Sequence, residues 1–425
     1  MRMNPFIAVA ATSMAISNLM DIHYHGFVSA VNPKQFGVDW EKKSFYSYVD
    51  HEKVQEEDPL CKITLKIMTT STSRGRLDAD IEPWETAEMR NAAEKVGASM
   101  VVLEHRYSGN SIPTEEFSVD ILRKLFTTKQ TVEDMALFGR HIKGKIPELK
   151  IVLFGCSSAG TVAALARKHH PDIFDGVIAS SAPLKFQLEN DKYNEVLAKD
   201  FSNQKLKGSE KCLEVIKEAH KSIGSSLESA EGRRQLETNF QLYKGDLEDE
   251  KIRTAFAING RLLSTGLQYN DPSCRTDYCN IERICRRLTT GSEPSIDKLL
   301  DVYKKNNPSS LGRSMADDFQ RLFKRCFLGL STLIISGCNE GFGITKDEVL
   351  TMVKEMQTYV GDFSKVTNML SINGHADPWY PSSITENAEG PDVLNVPDAS
   401  HCYWCNKGNE DVFKRVRDAI LKWIA

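Results

Sequence analysis

Three segments of the chain contain side chains that could together carry out acyl transfer. The first, residues 151–160, reads IVLFGCSSAG and contains Ser157 directly after four apolar residues and a glycine-cysteine pair. The second reads NGHADPW and contains Asp377, and the third reads PDASHC and contains His401. Serine is a weak nucleophile that needs an adjacent base, and the base needs an acid to orient it. The order serine, aspartate, histidine therefore predicts catalysis through an activated serine.

The first segment predicts a strand that turns sharply into a helix at the serine. Such a turn lifts the hydroxyl above a sheet and directs backbone N–H groups at a developing oxyanion. Ser157 has a glycine two positions before it, whereas the rival Ser158 has a glycine two positions after it. Alanine takes the last position of the G-x-S-x-G pattern for Ser157, which is a mild change because alanine is also small. We interpret Ser157 as the nucleophile, with the backbone N–H of Ser158 as one oxyanion donor.

The acid and the base each have a rival. Asp377 lies between the serine and the histidine in the chain, although an Asx-type turn before a proline is the structural alternative. Asp398 is a weaker candidate for the acid. His401 follows a predicted strand and closes the expected order, whereas His169 and His170 end a predicted helix and are interpreted as partners of its C-terminal dipole.

Alternating strands and helices predict an α/β fold with a mostly parallel sheet covered on both faces. Loops at the carboxyl ends of such strands are where these sheets place their chemistry. The predicted strands are 61–69, 98–103, 151–154, 176–180, 366–372 and 393–396, and the predicted helices are 84–96, 131–142, 161–170 and 410–424.

The chain divides into four predicted parts. Residues 1–18 resemble a secretory signal peptide, with an ordinary N-terminal segment as the alternative. Residues 19–187 and 326–425 form the two parts of an α/β-hydrolase domain. Residues 188–325 are polar, rich in lysine and glutamate and helical in period, which predicts an inserted helical cap domain.

Charge and composition exclude several classes of partner. A net charge of −4 over 425 residues gives no basis for binding nucleic acid. Apart from the N-terminal segment, no stretch approaches the roughly 20 apolar residues of a membrane span. No cofactor motif is present, so we expect neither a cofactor nor a metal.

Ten cysteines favour an oxidising compartment. A cluster at 274, 279 and 285 and a C-x-x-C pair at 402 and 405 could in principle hold zinc, but no matching ligand pair lies beside either group. Disulfide bonds are the preferred interpretation, without an assigned pairing. Together with the signal-like segment, they predict a secreted, lysosomal or vesicular protein.

Six segments in order resemble the prolyl carboxypeptidase and dipeptidyl peptidase II family, nearest its thymus-specific serine protease branch. They read LEHRYSGNS at 103–111, GCSSAG at 155–160, DGVIASSAP at 175–183, CNEG at 338–341, NGHADPW at 373–379 and ASHC at 399–402. The resemblance implies an α/β-hydrolase fold whose helical insertion covers the site, and a lysosomal or secreted serine exopeptidase. It also implies Ser157 as nucleophile, Asp377 as orienting acid and His401 as general base, an acyl-enzyme, peptide substrates cut beside proline, and a homodimer.

Several positions depart from that family's pattern. Its Gly-Gly-Glu loop is replaced by MTTSTSRG at 68–75, its tyrosine after the nucleophile by Ser158, and an aromatic-glutamine pair by Ser336-Gly337. These changes leave the proline preference and the end of the peptide attacked open. Beyond the triad, the resemblance suggests Glu340 as a binder of a substrate amine, unless it forms a structural salt bridge.

Two further residues complete the candidate binding set. Tyr107 or a neighbour is a candidate second oxyanion donor, and Trp379 is a candidate substrate contact. Glu104 and Arg106 are interpreted as a buried pair that shapes the site. Two other functions stay open: a carboxylesterase on the same fold, and a catalytically inactive secreted binding protein, which the altered loops at 69–74 and Ser158 would suit.

Overall fold

The structure is a computed structural model. It describes residues 47–49, 62–68, 87–106, 113–114, 118–188, 190–250, 252–253, 256, 267–275, 278–306, 343–386 and 390–425. Of these, only the backbone is described at 47–49, 62–68, 87, 99, 100, 102, 104, 191, 267, 306, 406 and 407. The predicted signal segment, the 69–74 loop, Tyr107, and the 326–342 segment with Glu340 lie outside the described residues.

The centre of the described part is a mostly parallel seven-stranded sheet. Its spatial order is β1-β3-β2-β4-β5-β6-β7, and only the edge pair β1–β3 is antiparallel among these strands. The strands are β1 Ser47–Val49, β2 Lys62–Met68, β3 Ala98–Glu104, β4 Ile151–Cys156, β5 Gly176–Ser180, β6 Met369–Gly374 and β7 Asp392–Val396.

Helices cover both faces of this sheet. The α-helices of the described residues are α1 Ala87–Val96, α2 Val119–Leu125, α3 Thr128–Lys145, α4 Ser158–His169, α5 Asp191–Ser202, α6 Glu210–Leu227, α7 Ala230–Phe240, α8 Ile281–Thr289, α9 Ser295–Asn306, α10 Lys346–Val360, α11 Tyr403–Lys407 and α12 Glu410–Ile424. Of these, α5 to α9 pack beside the sheet.

The central strands are apolar on both faces because both faces are buried. Along β4, Ile151 and Leu153 pack into a core with α3, α4 and α10, while Val152 and Phe154 pack into a second core with α1 and α12. Successive side chains of a strand point to opposite faces, so a continuous apolar run serves both cores. This three-layer arrangement confirms the predicted α/β fold.

Helices α5 to α9, here called the insertion helices, pack around an apolar core of their own. A disulfide joins Cys212 of α6 to Cys285 of α8, and a second joins Cys274 to Cys279. Ala376, beside the predicted acid, belongs to the same core, so the insertion helices contact the loop after β6. Within the described residues, no helix is both long and apolar enough to cross a membrane.

The predicted strand at 366–372 begins three residues too early. β6 starts at Met369, and Val366 instead closes a turn through a hydrogen bond from its N–H to the carbonyl of Phe363, 2.9 Å away. Asn368 has a φ of 54°, which interrupts an extended conformation. Val366 is buried in the core, so the sequence has an apolar residue here just as it would in a buried strand.

Candidate active site

Ser157 occupies the turn between β4 and α4. Its φ of 59° and ψ of −130° lie where residues other than glycine are rarely found, and its side chain is buried. The backbone N–H of Ser157 donates to the carbonyl of Ser180, 2.9 Å away, and Thr161 closes the first helical turn on the carbonyl of Ser157. Ser158 is already the first residue of α4, so the strained position between strand and helix belongs to Ser157.

Two glycines make this turn sterically feasible. A Cβ on Gly155 would lie 2.3 Å from the carbonyl oxygen of Ala159, and one on Gly160 would lie 2.8 Å from the carbonyl oxygen of Gly155. Real Cβ atoms do not approach backbone that closely, so α4 can pack against the end of β4 only because both positions lack a side chain. The glycines that mark this turn in the sequence are therefore required by the close packing of the helix against the strand.

Asp377 and His401 form a fully buried pair on the loops that follow β6 and β7. The Nδ1 atom of His401 lies 2.9 Å from each carboxylate oxygen of Asp377, and both side chains are 0% exposed. Because a carboxylate only accepts, this contact makes Nδ1 the protonated nitrogen and leaves the lone pair on Nε2. Within the described part of the chain, Nε2 is buried and has no hydrogen-bond partner.

The serine turn and the histidine loop are joined covalently through their neighbours. Cys156, which precedes Ser157, forms a disulfide with Cys402, which follows His401, and their Cα atoms are 6.1 Å apart. The backbone N–H of Cys402 also donates to the Ser181 hydroxyl, 3.0 Å away. The structure therefore brings the elements carrying all three predicted residues together at the carboxyl ends of β4, β6 and β7.

The rival acid and the other histidines lie in different surroundings. Asp398 contacts the amide of Asn203 and the ammonium of Lys205, each at 3.3 Å. His169 Nε2 lies 3.1 Å from the carbonyl of Tyr359, and His170 Nε2 lies 2.9 Å from Glu133, both at the end of α4.

Of the remaining binding candidates, Ser158 and Trp379 lie within the described residues, whereas Tyr107 and Glu340 lie outside them. Ser158 begins α4, and the first N–H groups of an α-helix have no acceptor within the helix. Trp379 is buried, and its indole N–H donates to Gln268 of the insertion, 3.2 Å away. Arg106 pairs with Asp134 at 2.6 Å, a partner that sequence reasoning did not name.

The C-x-x-C pair does not form its own bridge, because Cys402 is bonded to Cys156. Cys405 lies within 4.8 Å of both sulfurs and points its thiol at the Glu88 carboxylate, 3.5 Å away. Ser180 also donates to Glu88, so a buried polar cluster lies behind the serine turn.

A second buried carboxyl, Asp200 of α5, lies near the acid. Burial, together with the negative charges of Asp377 and Asp398, raises its pKa to about 7. Its side chain is 5% exposed. Sequence reasoning missed this residue, since an aspartate in a polar, charged segment gives no signal of burial.

The mostly parallel sheet with helices on both faces and a serine at a strand–helix turn has the features of the α/β-hydrolase fold. Residues 75–324 match the family described as serine carboxypeptidase S28. The chain belongs to the serine carboxypeptidase S28 family and thereby to the serine hydrolases. The matched span contains Ser157, and Asp377 and His401 lie beyond it.

Individual relatives are similar at modest identity. The thymus-specific serine protease of Mus musculus is 24% identical over 356 residues, which cover 72% of this chain and 69% of that protein. The lysosomal Pro-X carboxypeptidase of Mus musculus is 25% identical over 373 residues, covering 74% and 72%. A relative from Caenorhabditis elegans is 33% identical over 167 residues, 39% of this chain, and the match spans only 32% of that protein.

Solved structures resemble the chain weakly. Proline iminopeptidase of Mycobacterium smegmatis covers 87% of this chain and 92% of its own, at 12% identity and a TM-score of 0.33. Est1E of Butyrivibrio proteoclasticus, with ferulic acid bound, covers 89% and 95% at 11% identity and a TM-score of 0.35.

Proposed function

We propose that this protein is a serine exopeptidase that hydrolyses short peptides, at bonds next to proline, through Ser157, His401 and Asp377. The observation that carries the proposal is the buried His401–Asp377 pair. Nε2 of His401 has no hydrogen-bond partner in the described residues, and the histidine loop is joined to the serine turn by a disulfide. Burial without a partner is costly for a ring nitrogen, so a reacting group is the natural partner for this one.

Acylation would use the lone pair on Nε2. His401 takes the proton from the Ser157 hydroxyl as its oxygen attacks the scissile carbonyl, and the resulting imidazolium is stabilised by the Asp377 carboxylate at Nδ1. The N–H of Ser158 at the start of α4 stabilises the oxyanion, with help from the partial positive charge of the helix N-terminus. His401 then gives its proton to the leaving amine, and the acyl group stays on Ser157.

Deacylation would repeat the same proton transfers with water. His401 removes a proton from water, the hydroxide attacks the acyl carbonyl, and the proton returns to the Ser157 oxygen as the carboxylic acid leaves. Asp377 stays ionised throughout, since its role is to orient the imidazole. Tyr107 remains a proposed second oxyanion donor outside the described residues.

Preference for chain ends and for proline rests on the insertion and on the relatives. We propose that the helical insertion, which contacts the Asp377 loop through Ala376, admits a peptide end and excludes a folded chain. Proline lacks an N–H and has a fixed φ, so a small apolar pocket can select it. The lysosomal Pro-X carboxypeptidase relative points to a Pro-X bond.

A secreted, lysosomal or vesicular location is part of the proposal. Three disulfides within the described residues suit an oxidising compartment, and relatives include proteins named lysosomal or extracellular. A homodimer and a helical cap domain over 188–325 also remain proposals.

The test is digestion of a mixed peptide library by the full chain, read by mass spectrometry. We expect removal of one or two residues from chain ends, with proline beside the cleaved bond. Ser157→Ala should be inactive, and the matched Ser158→Ala should retain activity because only the backbone N–H of residue 158 is used.

The other outcomes separate the alternative functions. Turnover of short acyl esters with no peptide cleavage would point to a carboxylesterase. Folded protein that neither cleaves peptides nor reacts with a fluorophosphonate would point to an inactive binding protein, and either result would refute the peptidase proposal.

A further inference from the structure

We infer that Gln268, contributed by the insertion, is a positioning residue that fixes the Asp377 loop and the His401 loop relative to each other. It lies in a short 3₁₀ turn, Leu267–Tyr269, far from both loops in sequence. It is 5% exposed, and it bonds to both loops at once through two different oxygen atoms. The inference rests on the proposed function, because it assigns a role within that catalytic site.

The main-chain carbonyl of Gln268 holds the base. The backbone N–H of His401 donates to this oxygen at 2.8 Å. The neighbouring Tyr269 adds two contacts: its carbonyl accepts the Ser400 hydroxyl at 2.7 Å, and its ring meets the His401 imidazole edge-on at 5.7 Å. The histidine loop is thereby fixed at two successive residues by two successive residues of the insertion.

The side-chain amide of Gln268 holds the acid. Its Oε1 accepts the indole N–H of Trp379 at 3.2 Å, and the backbone N–H of Trp379 in turn donates to Oδ1 of Asp377 at 2.9 Å. The hydroxyl of Tyr193 on α5 donates to the same Oε1 at 3.3 Å. The rings of Tyr193 and Trp379 meet edge-to-face at 5.2 Å, which closes the contact.

These contacts give Trp379 a different role from the substrate contact expected from the sequence. Its indole N–H is committed to Gln268, and its backbone N–H is committed to Asp377. Two donors on one amide oxygen also fix the orientation of the Gln268 amide. We call this double attachment of Gln268 to the two loops the clamp. It requires a hydrogen-bond acceptor in the side chain at position 268.

The consequence is that the insertion completes the catalytic geometry. The His401–Asp377 contact depends on two separate loops, and Gln268 is bonded to both. Loss of its side-chain acceptor should loosen the Asp377 loop and weaken the carboxylate's hold on the imidazole. Besides Asp377, the charged groups in this part of the site include Asp200 on α5 and Asp398 on the histidine loop, which is paired with Lys205. None of them is supplied by the 3₁₀ turn, so an uncharged change at 268 alters geometry without altering charge.

The experiment measures the rate of labelling by a fluorophosphonate across pH in the full chain. Gln268→Leu should lower the maximal labelling rate about tenfold, because small misplacements of catalytic groups are costly. It should also move the pH midpoint downward, since a weaker contact with Asp377 stabilises the imidazolium less. Trp379→Phe removes the donor from the other side and should act in the same direction.

Two variants separate positioning from stability. Gln268→Glu keeps the acceptor, so it should retain the maximal rate within about threefold, while its negative charge moves the midpoint upward. Gln357→Leu is the matched control, because the side chain of that glutamine also forms a hydrogen bond, which it donates to the carbonyl of Phe186 at 2.8 Å, but it lies on α10. It should leave the labelling rate and the midpoint unchanged even if it lowers the unfolding temperature.

Two failures can be told apart. If the parent protein is not labelled at Ser157, the proposed function itself fails. If the parent is labelled but both Gln268→Leu and Trp379→Phe keep its rate and midpoint, the clamp is wrong and the triad stands.

Discussion

At the scale of single residues, the His401 imidazole has its two nitrogens in opposite situations. Nδ1 faces two carboxylate oxygens at 2.9 Å, and Nε2 has no partner within the described residues. The acid therefore decides which nitrogen carries the proton, and with it which nitrogen can act as a base.

Exchanging the acid for an amide should remove this control. Asp377→Asn is expected to lower kcat about 10³- to 10⁴-fold, because an amide can hold the imidazole in the wrong tautomer. Steady-state kinetics with the best library peptide measures the effect. Asp398→Asn is the matched control, since that carboxylate contacts only Asn203 and Lys205 among the bonds described for it, and its kcat should change less than threefold.

Asp200 gives a prediction for stability against pH. Its pKa is raised from 3.8 to about 7, so the folded state retains a proton that the unfolded state releases at lower pH. The stability it contributes is full below about pH 4 and is lost as pH rises through about 7. Asp200→Asn should match the parent near pH 4 and exceed its unfolding free energy by at most about 4 kcal/mol at pH 8.

Urea denaturation at several pH values measures this difference. Asp172→Asn is the control, because Asp172 is exposed in the turn after α4 and its change should alter the unfolding free energy only slightly. A constant gap between Asp200→Asn and the parent from pH 4 to pH 8 would contradict the assignment.

The site residues that sequence reasoning proposes are those marked by a local pattern and by chain order. Ser157 has a glycine-containing turn around it, and Asp377 and His401 each follow a strand. Gln268 and Asp200 have no such pattern, because their roles come from contacts across the fold. Nothing in a single sequence marks which glutamine of a polar segment will lie against a histidine loop.

At the scale of elements, the turn between β4 and α4 combines a strained serine with two glycines that allow close packing. Local strain of this kind persists only where the surrounding structure fixes it. The buried strand, the helix and the disulfide from Cys156 supply that support here.

Filling the turn should therefore be costly. Gly155→Ala would place a Cβ 2.3 Å from backbone of α4 and should lower the unfolding free energy by about 3 kcal/mol, with loss of fluorophosphonate labelling. Gly144→Ala, in α3 with no atom within 4 Å of its Cβ position, should raise the unfolding free energy by about 0.5 kcal/mol. Equal effects of the two changes would contradict the packing argument.

The buried strands were predictable because continuous apolar runs of four to seven residues have few other uses. Strand β1 and helices α2, α10 and α11 were not predicted. β1 has three residues, and α10 carries polar residues on its exposed face, with a capping box at Thr345 and Glu348. Short or amphipathic elements of this kind are decided by tertiary packing more than by local pattern.

At the scale of the whole molecule, disulfides tie distant parts of the chain together. The Cys156–Cys402 bond closes a span of 246 residues, whereas Cys274–Cys279 closes a span of five. The sequence indicated disulfides but not their pairing, since ten cysteines allow many combinations and only the fold brings the partners together.

Removing the long-range bond should affect both stability and activity. In the chain-entropy model, Cys156→Ser/Cys402→Ser costs about 5 kcal/mol of unfolding free energy, and Cys274→Ser/Cys279→Ser costs about 2 kcal/mol. The first pair should also slow labelling at Ser157, because it releases the neighbours of the nucleophile and the base. Chemical denaturation and labelling rates would refute this if the two pairs behaved alike.

The central claim is that the hydroxyl of Ser157 is the group activated by His401 and Asp377. The most direct measurement is to label the folded protein with a fluorophosphonate and locate the adduct by peptide mass spectrometry. The account predicts a single adduct on Ser157 that disappears in His401→Ala. An adduct on Ser158 or another serine, or undiminished labelling of Ser157 without His401, would contradict it.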